Sequence, residues 1–292
     1  MMKQWMSKIL HADKQVVGIN RRNLELIYPN NPSDKFYLVD DKAETKILLE
    51  QAGIPIPETY TIIGHSWEID EKFNTVKEKE NMVIKPANGA AGHGILIMRK
   101  AEEDRWMVSG SREYNPAQIK MHIAAIIYGA YAHDRPDRCI IEERINAHPV
   151  IASIFDDGIP DIRIIIYHDK PLMAMLRVPT SFSGGKANLH QGAIGIGIDM
   201  DTGTTTEGYY MNRTVEYHPD NGIRLRGIKI PDWNKVKEIS LASARLVPLK
   251  YLGVDIIIDE NKGPLIIEMN ARPGLQIQNA NLKGLANTIY VK

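Results

Sequence analysis

Two apolar runs near the C-terminus carry three side chains that are suited to bind a metal ion. The runs form the stretch GVDIIIDENKGPLIIEMNARPG, residues 253–274, which predicts a hairpin with its turn at Asn261-Lys262. A two-residue loop and a four-residue loop give the same register, in which Asp255 lies directly opposite Glu268. Asn270 follows two residues later and therefore points to the same face. Three oxygen ligands on one face predict a site for Mg²⁺, which takes carboxylate, amide, water and phosphate oxygens.

The alternative interpretation is an ordinary hairpin with polar residues on its solvent-exposed face. Against it, the remaining positions of both strands are almost all Ile, Leu or Met. Directly opposed carboxylates have Cβ atoms roughly 5 Å apart and are destabilising unless something neutralises their charge. The pattern therefore favours the metal site.

A glycine-rich segment between two predicted strands is suited to contact phosphate groups. MVIKPANGAAGHGILIM, residues 82–98, predicts a strand, a loop and a strand, and Gly89, Gly92 and Gly94 lie in the loop. Glycines let the backbone approach a ligand and present N–H groups to phosphate oxygens, and Lys85 at the end of the first strand adds a positive charge. The segment lacks the Gly-Lys-Ser/Thr of a Walker loop, and a simple glycine-rich turn is the alternative.

Other polar residues are less specific by themselves. Lys42 lies in a predicted helix, where it is equally typical of a surface lysine, and Lys186 lies in the polar loop SGGKANLHQG. The segment IIEERI, residues 140–145, ends a predicted strand in a way that suits an adenine pocket or a strand that runs into solvent. His93 and His190 lie in polar loops, where structural or solvated histidines are more common than catalytic ones, so we assign no general base.

The composition indicates a globular protein without a surplus of either charge. Of the 292 residues 43% are hydrophobic, and Lys plus Arg equals Asp plus Glu at 36 each, which argues against a nucleic-acid-binding surface. The single cysteine, Cys139, excludes an internal disulfide and a cysteine-based zinc site. MMKQWMSKILHA, residues 1–12, is too polar for a secretory signal, and no apolar stretch is long enough to span a bilayer. We therefore expect a cytoplasmic protein without a membrane span.

Three helices are predicted from their apolar spacing and end signals. The first begins at the capping residue Asp40 or Asp41 and ends at Gly53. The second covers residues 115–132, with its cap at the first residue and a proline in the first turn. The third covers residues 231–253, with a kink at a proline near its end.

Hairpins outnumber strand–helix–strand units, which predicts an α+β fold with antiparallel sheets. A hairpin is predicted at residues 161–180, around Asp169-Lys170-Pro171. We divide the chain into a short N-terminal segment (1–40), a subdomain with the glycine-rich loop (41–145) and a subdomain with the Mg²⁺ site (146–292).

Taken in order, these motifs resemble the ATP-grasp superfamily and, within it, the RimK-type alpha-L-glutamate ligase-like proteins. The resemblance extends from about residue 40 to about residue 285 and is carried by DK followed by LLEQAGIPIP, then VIKPANGAAGHGI, EERI, DIR, KANLHQGA, GVDIIID and IIEMNARPG. It implies an ATP-grasp fold, in which two α+β subdomains with antiparallel sheets clasp ATP. Only 41 residues precede Lys42, so we expect the family's N-terminal pre-ATP-grasp domain to be reduced or absent. INRRN, residues 19–23, is interpreted as an exposed polar segment, and a replacement wall of the substrate site is the alternative.

The resemblance also implies a role for each matching residue. ATP binding is implied for Lys42, Lys85, Gly89, Gly92, Gly94, Glu142, Glu143, Arg144, Ile145, Asp161, Lys186 and Asn188. Metal binding is implied for Asp255, Glu268 and Asn270, and anion contacts at the reacting centre for Arg272, Arg163 and Arg177. The implied metal is Mg²⁺, as two ions, with Mn²⁺ as a substitute. Arg144 departs from the family, in which a hydrophobic or aromatic residue is common at this position.

We therefore predict an ATP-dependent carboxylate–amine ligase that acts through an acyl phosphate and adds glutamate or a related amino acid to a peptide or small-molecule acceptor. The residues do not identify the acid or the amine. An ATP-grasp kinase with a stable phosphorylated product and a catalytically silent ATP-binding regulatory protein are the alternatives. Homo-oligomerisation is expected from the family.

Overall fold

A computed structural model of the protein describes residues 15–89, 92–108, 112–155 and 157–289. The predicted polar stretch at 1–12 and Ala90-Ala91 of the glycine-rich loop lie outside the described residues. The chain divides into two compact units, a smaller one of Asp40–Asn146 and a larger one of Met1–Val39 with Ala147–Lys292. The described N-terminal residues, 15–39, thus belong to the larger unit, whereas a separate segment of residues 1–40 was predicted.

The N-terminal part of the larger unit consists of short helical turns. They are α1 (Ile19–Arg21), a π-helix (Arg22–Ile27), a 3₁₀-helix (Ser33–Lys35) and α2 (Tyr37–Asp40). Asn31 is buried, and its amide Nδ2 donates to the backbone oxygen of Tyr251 at 2.7 Å. Its Oδ1 accepts from the backbone N–H groups of Lys250 and Tyr251 at 2.9 and 3.0 Å. This side chain therefore fixes the segment to the rest of the larger unit.

The smaller unit contains one six-stranded antiparallel sheet in the order β1-β6-β2-β3-β4-β5. Its elements are α3 (Lys42–Gln51), β1 (Thr59–Ile63), a 3₁₀-helix (Ser66–Glu68), α4 (Ile69–Val76), β2 (Asn81–Pro86), β3 (Leu96–Glu102), β4 (Arg105–Val108), β5 (Arg112–Tyr114), α5 (Pro116–Ile127) and β6 (Cys139–Glu142). Phe73 of α4 and Ile119 and Ile123 of α5 pack with Trp106 of β4 in one buried cluster. These two helices therefore supply the main core of the smaller unit.

The ends of α3 and α5 follow from their capping residues. Asp41 caps α3 by accepting from the backbone N–H groups of the second and third helical residues, and Gly53 follows the helix with a φ of 67°. Asn115 caps α5 as predicted. However, α5 ends at Ile127 and not at 132, because Gly129 has a φ of 86°, which a right-handed helix does not allow. A Cβ at this position would lie 2.3 Å from a backbone oxygen, so glycine is required here.

The larger unit contains a seven-stranded antiparallel sheet in the order β11-β10-β9-β8-β7-β12-β13. Its remaining elements are α6 (Pro149–Ala152), β7 (Asp161–Tyr167), β8 (Lys170–Val178), a 3₁₀-helix (Leu189–Gln191), β9 (Ile194–Ile198), β10 (Thr205–Tyr210), β11 (Arg213–Val215), α7 (Trp233–Arg245), β12 (Tyr251–Asp259), β13 (Gly263–Asn270), α8 (Ile277–Ala280) and α9 (Ala286–Ile289). The two antiparallel sheets and their covering helices confirm the predicted α+β class. No helix in the described ranges has the length and apolar character that crossing a bilayer requires.

Two predicted boundaries in the larger unit are wrong. The predicted helix at 231–253 ends at Arg245, and Pro248 separates it from β12. Gly253 lies inside that strand, where a Cβ would be 2.7 Å from the Cβ of Pro273, so its role is close packing and not the end of a helix. The β7–β8 hairpin turns at His168-Asp169, both with positive φ, and not at the predicted 169–171.

Candidate active site

The hairpin of β12 and β13 brings the predicted metal-binding residues together. Asp255 pairs directly with Glu268, as the sequence predicted, and Asn270 pairs with Gly253. Because Gly253 and Asp255 are two residues apart on one strand, Asn270 lies on the same face as the two carboxylates. The register prediction is therefore correct.

The hairpin reaches this register in an unexpected way. Asp259 pairs with Gly263, which leaves a three-residue loop instead of two or four residues. A loop of that length shifts the pairing by one residue, and Ile256 accordingly pairs with Ile266. A β-bulge then places Ile267 as an extra residue, and the bulge restores the opposition of the carboxylates.

Two arginines neutralise the buried carboxylate of Asp255. Asp255 is 1% exposed, and Arg163 donates to its Oδ1 from Nε at 2.7 Å and to its Oδ2 from an Nη at 2.5 Å. Arg177 donates to Oδ2 at 2.8 Å, and the Asn270 amide donates to the same oxygen at 3.3 Å. Both arginines were predicted as anion contacts at the reacting centre, and in this structure the anion that they contact together is a side chain of the protein.

Asp161 completes this network on the neighbouring strands. It pairs with Arg177 across β7 and β8, as Arg163 pairs with Asp255 across β7 and β12. Arg177 donates to Asp161 from both Nε, at 2.7 Å, and an Nη. Burial and the nearby Asp255 raise the pKa of Asp161 against the effect of Arg177. Burial also opposes ionisation of Asp255, but Arg163 and Arg177 hold the pKa of its carboxyl below the usual range.

The oxygen atoms of this face suit a hard cation. In the described part of the chain, no group of three or more His, Cys, Asp or Glu residues is arranged to hold a metal ion. The candidate ligands are therefore two carboxylates, Asp255 and the half-buried Glu268, and the half-buried amide Asn270. The amide nitrogen of Asn270 donates to Asp255, which leaves its oxygen for a ligand. This oxygen-only set fits Mg²⁺ completed by water and phosphate oxygens.

The other predicted residues of the larger unit lie on loops. The Arg272 guanidinium carbon lies 5.1 Å from the centroid of the Phe36 ring, a cation–π contact that orients it. Asn188 caps the short 3₁₀-helix by accepting from the backbone N–H of His190 at 3.0 Å. Lys186 is half-buried in the same loop. Among the described residues, no hydrogen bond joins the side chain of Lys186 or Asn188 to the Asp161–Arg177–Asp255 network.

In the smaller unit, three charged side chains form a buried cluster. The Lys85 Nζ lies 2.5 Å from Glu142 Oε1, across the adjacent strands β2 and β6. The Lys46 Nζ lies 2.9 Å from Glu142 Oε2 and forms an ion pair with it, but the angles do not meet those of a hydrogen bond. The same Nζ donates a hydrogen bond to the backbone oxygen of Pro57 at 2.8 Å. Burial lowers the pKa of Lys46 despite Glu142. Burial opposes ionisation of Glu142, but the two lysines lower the pKa of its carboxyl.

Sequence reasoning did not identify Lys46, although the sequence contained a signal for it. Lys46 lies three residues after Ala43 and three residues before Leu49, and both of these are buried. The spacing places all three residues on one face of α3. A lysine on the buried face of an amphipathic helix needs an anionic partner, which here is Glu142.

The first half of the glycine-rich loop is held by side chains on both sides. The Lys42 Nζ donates to the Gly89 oxygen at 2.7 Å. Asn88 donates to the buried carboxylate of Asp137 from its backbone N–H at 3.0 Å and from its amide at 2.7 Å. Lys42, predicted to bind phosphate, therefore contacts the predicted phosphate-binding loop itself.

The far end of the loop is held by α5 and the residues after it. His122 Nε2 lies 2.9 Å from the Gly94 oxygen, and the Tyr131 hydroxyl lies 3.4 Å from His122 Nδ1. A neutral imidazole that donates from Nε2 and accepts at Nδ1 satisfies both contacts. Gly94 has a φ of 76°, and a Cβ there would lie 2.7 Å from the Tyr131 ring. The glycine-rich motif in the sequence indicated this glycine but not its two partners.

The predicted adenine-binding hinge follows β6. The backbone N–H of Glu143 donates to the Glu58 oxygen at 2.9 Å, and the Glu143 carboxylate accepts from the Glu58 backbone N–H at 2.8 Å. Arg144 is exposed and Ile145 is buried. The hinge backbone is therefore fixed by the residue that precedes β1, although Arg144 itself is exposed.

A sequence model of the family described as "Sugar-transfer associated ATP-grasp" matches residues 21–290. Among curated proteins, the "Probable alpha-L-glutamate ligase" of Xanthomonas euvesicatoria pv. vesicatoria (strain 85-10) is 26% identical over 257 residues, which cover 87% of this chain and 65% of that protein. The "Cyanophycin synthetase" of Crocosphaera subtropica (strain ATCC 51142 / BH68) is 25% identical, and the match covers 98% of this chain and 33% of that protein. The chain thus spans less than two thirds of the length of these relatives.

Solved structures overlap with the chain in part. The D-cycloserine synthetase DcsG superimposes with a TM-score of 0.46 at 13% identity, covering 88% of this chain and 71% of that chain. The D-alanine–D-alanine ligase of Bacillus anthracis, complexed with ATP, has a TM-score of 0.45 at 16% identity, covering 86% of this chain and 64% of that chain.

Proposed function

Because the chain belongs to the sugar-transfer-associated ATP-grasp family, we propose that it is an ATP-dependent ligase that joins a carboxylate to an amine. The observation that supports this most directly is the face that carries Asp255, Glu268 and Asn270 beside two half-buried arginines. The names of the glutamate ligase and cyanophycin synthetase relatives support the same class of reaction. We further propose glutamate or a related amino acid as one substrate and a peptide or small molecule as the other.

The proposed reaction has two steps. A carboxylate oxygen of the acid attacks the γ-phosphorus of ATP, the bond from that phosphorus to the β,γ-bridging oxygen breaks, and an acyl phosphate and ADP form. The amine nitrogen then attacks the acyl carbon, inorganic phosphate leaves, and the nitrogen loses a proton to give the amide. The first step brings anions together, so positive groups around the phosphates are its main catalytic requirement.

In the larger unit, Glu268, Asn270 and Asp255 would hold Mg²⁺. The bound metal would neutralise phosphate charge. We propose that two Mg²⁺ ions bind and that Mn²⁺ can replace them. Asp255 Oδ1 accepts only one hydrogen bond among the described residues, from Arg163, so it keeps acceptor capacity. Arg272, oriented by its aromatic contact, would stabilise an oxyanion, which is worth roughly 3 kcal/mol for one well-placed donor.

In the smaller unit, Lys42, Lys85 and the glycine-rich loop would bind the phosphate groups. Lys42 and the backbone of Gly89 are already in contact, so the lysine and the loop would approach the nucleotide together. The hinge at Glu143 would offer backbone groups to the adenine. A closed loop would also protect the acyl phosphate from water. A cytoplasmic location and homo-oligomerisation remain predictions.

The decisive experiment is ADP release by the purified protein with Mg²⁺-ATP, against a panel of carboxylic acids with and without amines. ADP release that requires both an acid and an amine, with an amide detected by mass spectrometry, is the expected result. Release with one compound and a stable phosphorylated product would favour the kinase alternative. ATP binding without release across the panel would favour the regulatory alternative.

Glu268→Gln tests the metal assignment within this function. The substitution removes a carboxylate but keeps the side-chain size, so we expect ADP formation to fall by about a hundredfold or more while the circular dichroism spectrum is retained. Glu216→Gln is a matched control, because Glu216 is 54% exposed and pairs with Arg224 on the surface. Near-normal turnover of Glu268→Gln would refute the assignment.

A further inference from the structure

The buried cluster of Lys46, Lys85 and Glu142 carries an unequal number of charges. The side chains of Lys46 and Glu142 are each 6% exposed, and that of Lys85 is 9% exposed. Two ammonium groups therefore share one carboxylate, with a net charge of +1. The other acid that acts on Lys46 is Glu50, which is exposed one helical turn further along α3. A buried surplus charge is costly without a counter-charge, so a bound anion would stabilise the cluster.

The two lysines differ in how many protein partners they have. Lys46 contacts Glu142 Oε2 and donates to the Pro57 oxygen, so two separate protein groups hold its ammonium. For Lys85, Glu142 Oε1 is the one charged partner within the described residues. An ammonium has three donors, so Lys85 keeps donors that a ligand can use. Lys46 is thus the structural member of the cluster and Lys85 the member that is available to an anion.

From this division, which rests on the proposed function, we propose that Lys46 is a positioning residue for nucleotide binding. It binds Glu142 so that Lys85 can direct its ammonium at a phosphate group of ATP. Without Lys46, the remaining Lys85 and Glu142 would form a closed, neutral ion pair. Lys85 would then have to leave its only counter-charge in a buried environment before it could bind phosphate. Lys46 therefore acts on the nucleotide through Glu142 and Lys85, and does not itself touch it.

The test is the affinity of the full chain for a non-hydrolysable ATP analogue with Mg²⁺, measured by calorimetry. Lys46→Met should weaken binding by about tenfold, roughly the contribution of one charge-assisted hydrogen bond. Adding Glu142→Gln to Lys46→Met removes the competing carboxylate and restores the wild-type net charge. The double variant should therefore bind the analogue about threefold or more tightly than Lys46→Met, because Lys85 is again available.

A purely structural role of Lys46 would not produce this rescue. Lys120→Met is the matched control, because Lys120 lies on α5 of the same unit, pairs with the exposed Asp70 and is absent from the cluster. Wild-type affinity of Lys46→Met would overturn the proposal, as would a double variant as weak as the single one. If Lys46→Met does not fold, the double variant decides alone, since loss of its binding would also overturn the proposal. Failure of the wild type to bind the analogue would instead refute the proposed function.

Discussion

Arg177 is the shared counter-charge of two buried aspartates, so its removal is expected to destabilise the larger unit. Arg177→Met removes two hydrogen bonds that the guanidinium donates to Asp161 and one that it donates to Asp255. Asp255 keeps both bonds from Arg163, whereas Asp161, which is 4% exposed, loses its one hydrogen-bonded guanidinium among the described residues. A buried carboxylate without its partner costs about 3–5 kcal/mol in the free energy of unfolding.

A second substitution separates the charge effect from lost packing. Arg177→Met combined with Asp161→Asn removes both members of the pair and leaves Asp255 with Arg163. We expect the double variant to recover all but about 1 kcal/mol of the wild-type stability, because a neutral pair replaces an unpaired charge. Urea unfolding followed by circular dichroism and tryptophan fluorescence measures both values. Trp233, whose indole donates to the Met200 oxygen, reports on the larger unit.

An exposed ion pair in the same unit is the control. Arg245 lies 3.9 Å from Asp169, with side chains 64% and 44% exposed, and Arg245→Met should cost less than about 1 kcal/mol. An equally small effect of Arg177→Met would refute the reasoning. The reasoning would also be refuted if the double variant lost as much unfolding free energy as Arg177→Met and Asp161→Asn lose together as single variants, since the two charges would then act independently.

Three further predictions concern residues that fix a loop or a segment. Gly94→Ala should lower the free energy of unfolding, measured in urea, by about 2–4 kcal/mol, because the new Cβ meets the Tyr131 ring and an alanine is strained at positive φ. An unchanged urea midpoint would contradict the described loop geometry. Burial lowers the pKa of His122, so the folded state favours the neutral ring, and this contribution to stability is lost as the pH falls through the ordinary value of about 6.5. His122→Gln should therefore reduce the loss of stability between about pH 7.5 and about pH 5.5, and an identical pH profile would exclude this histidine as a source. Asn31→Ala leaves two backbone N–H groups without their acceptor and should lower the free energy of unfolding by about 2–4 kcal/mol. We expect faster proteolysis before residue 40, and wild-type protease resistance would count against this prediction.

Sequence alone was sufficient where the determinants are local. The cap Asn115 was identified correctly, and the cap of α3 was narrowed to Asp40 or Asp41, of which Asp41 is the cap, because a capping side chain bonds to the backbone two or three residues away. The α+β class followed from the number of hairpins, and the match to the family confirms the predicted ATP-grasp membership. The predicted third helix extended too far because the strand beyond Pro248 contains a glycine that resembles a helix end in sequence.

The opposition of Asp255 and Glu268 was correct for an incomplete reason. The sequence pattern requires the two residues to share a face, but a three-residue loop would have placed them out of register. The extra residue Ile267 corrects the shift, and no local pattern marks it, because a bulge depends on how β13 pairs with its neighbour.

Only the tertiary structure shows which charges neutralise one another. Asp255 obtains its counter-charges from Arg163 and Arg177, which are 92 and 78 residues away in the chain. Lys46 obtains its partner from a strand that follows it by 96 residues, since Glu142 is brought to it by the sheet of the smaller unit. The sequence shows which residues are charged, but the cost of burying a charge is met by a neighbour in space, and the packing of strands and helices decides which neighbour that is.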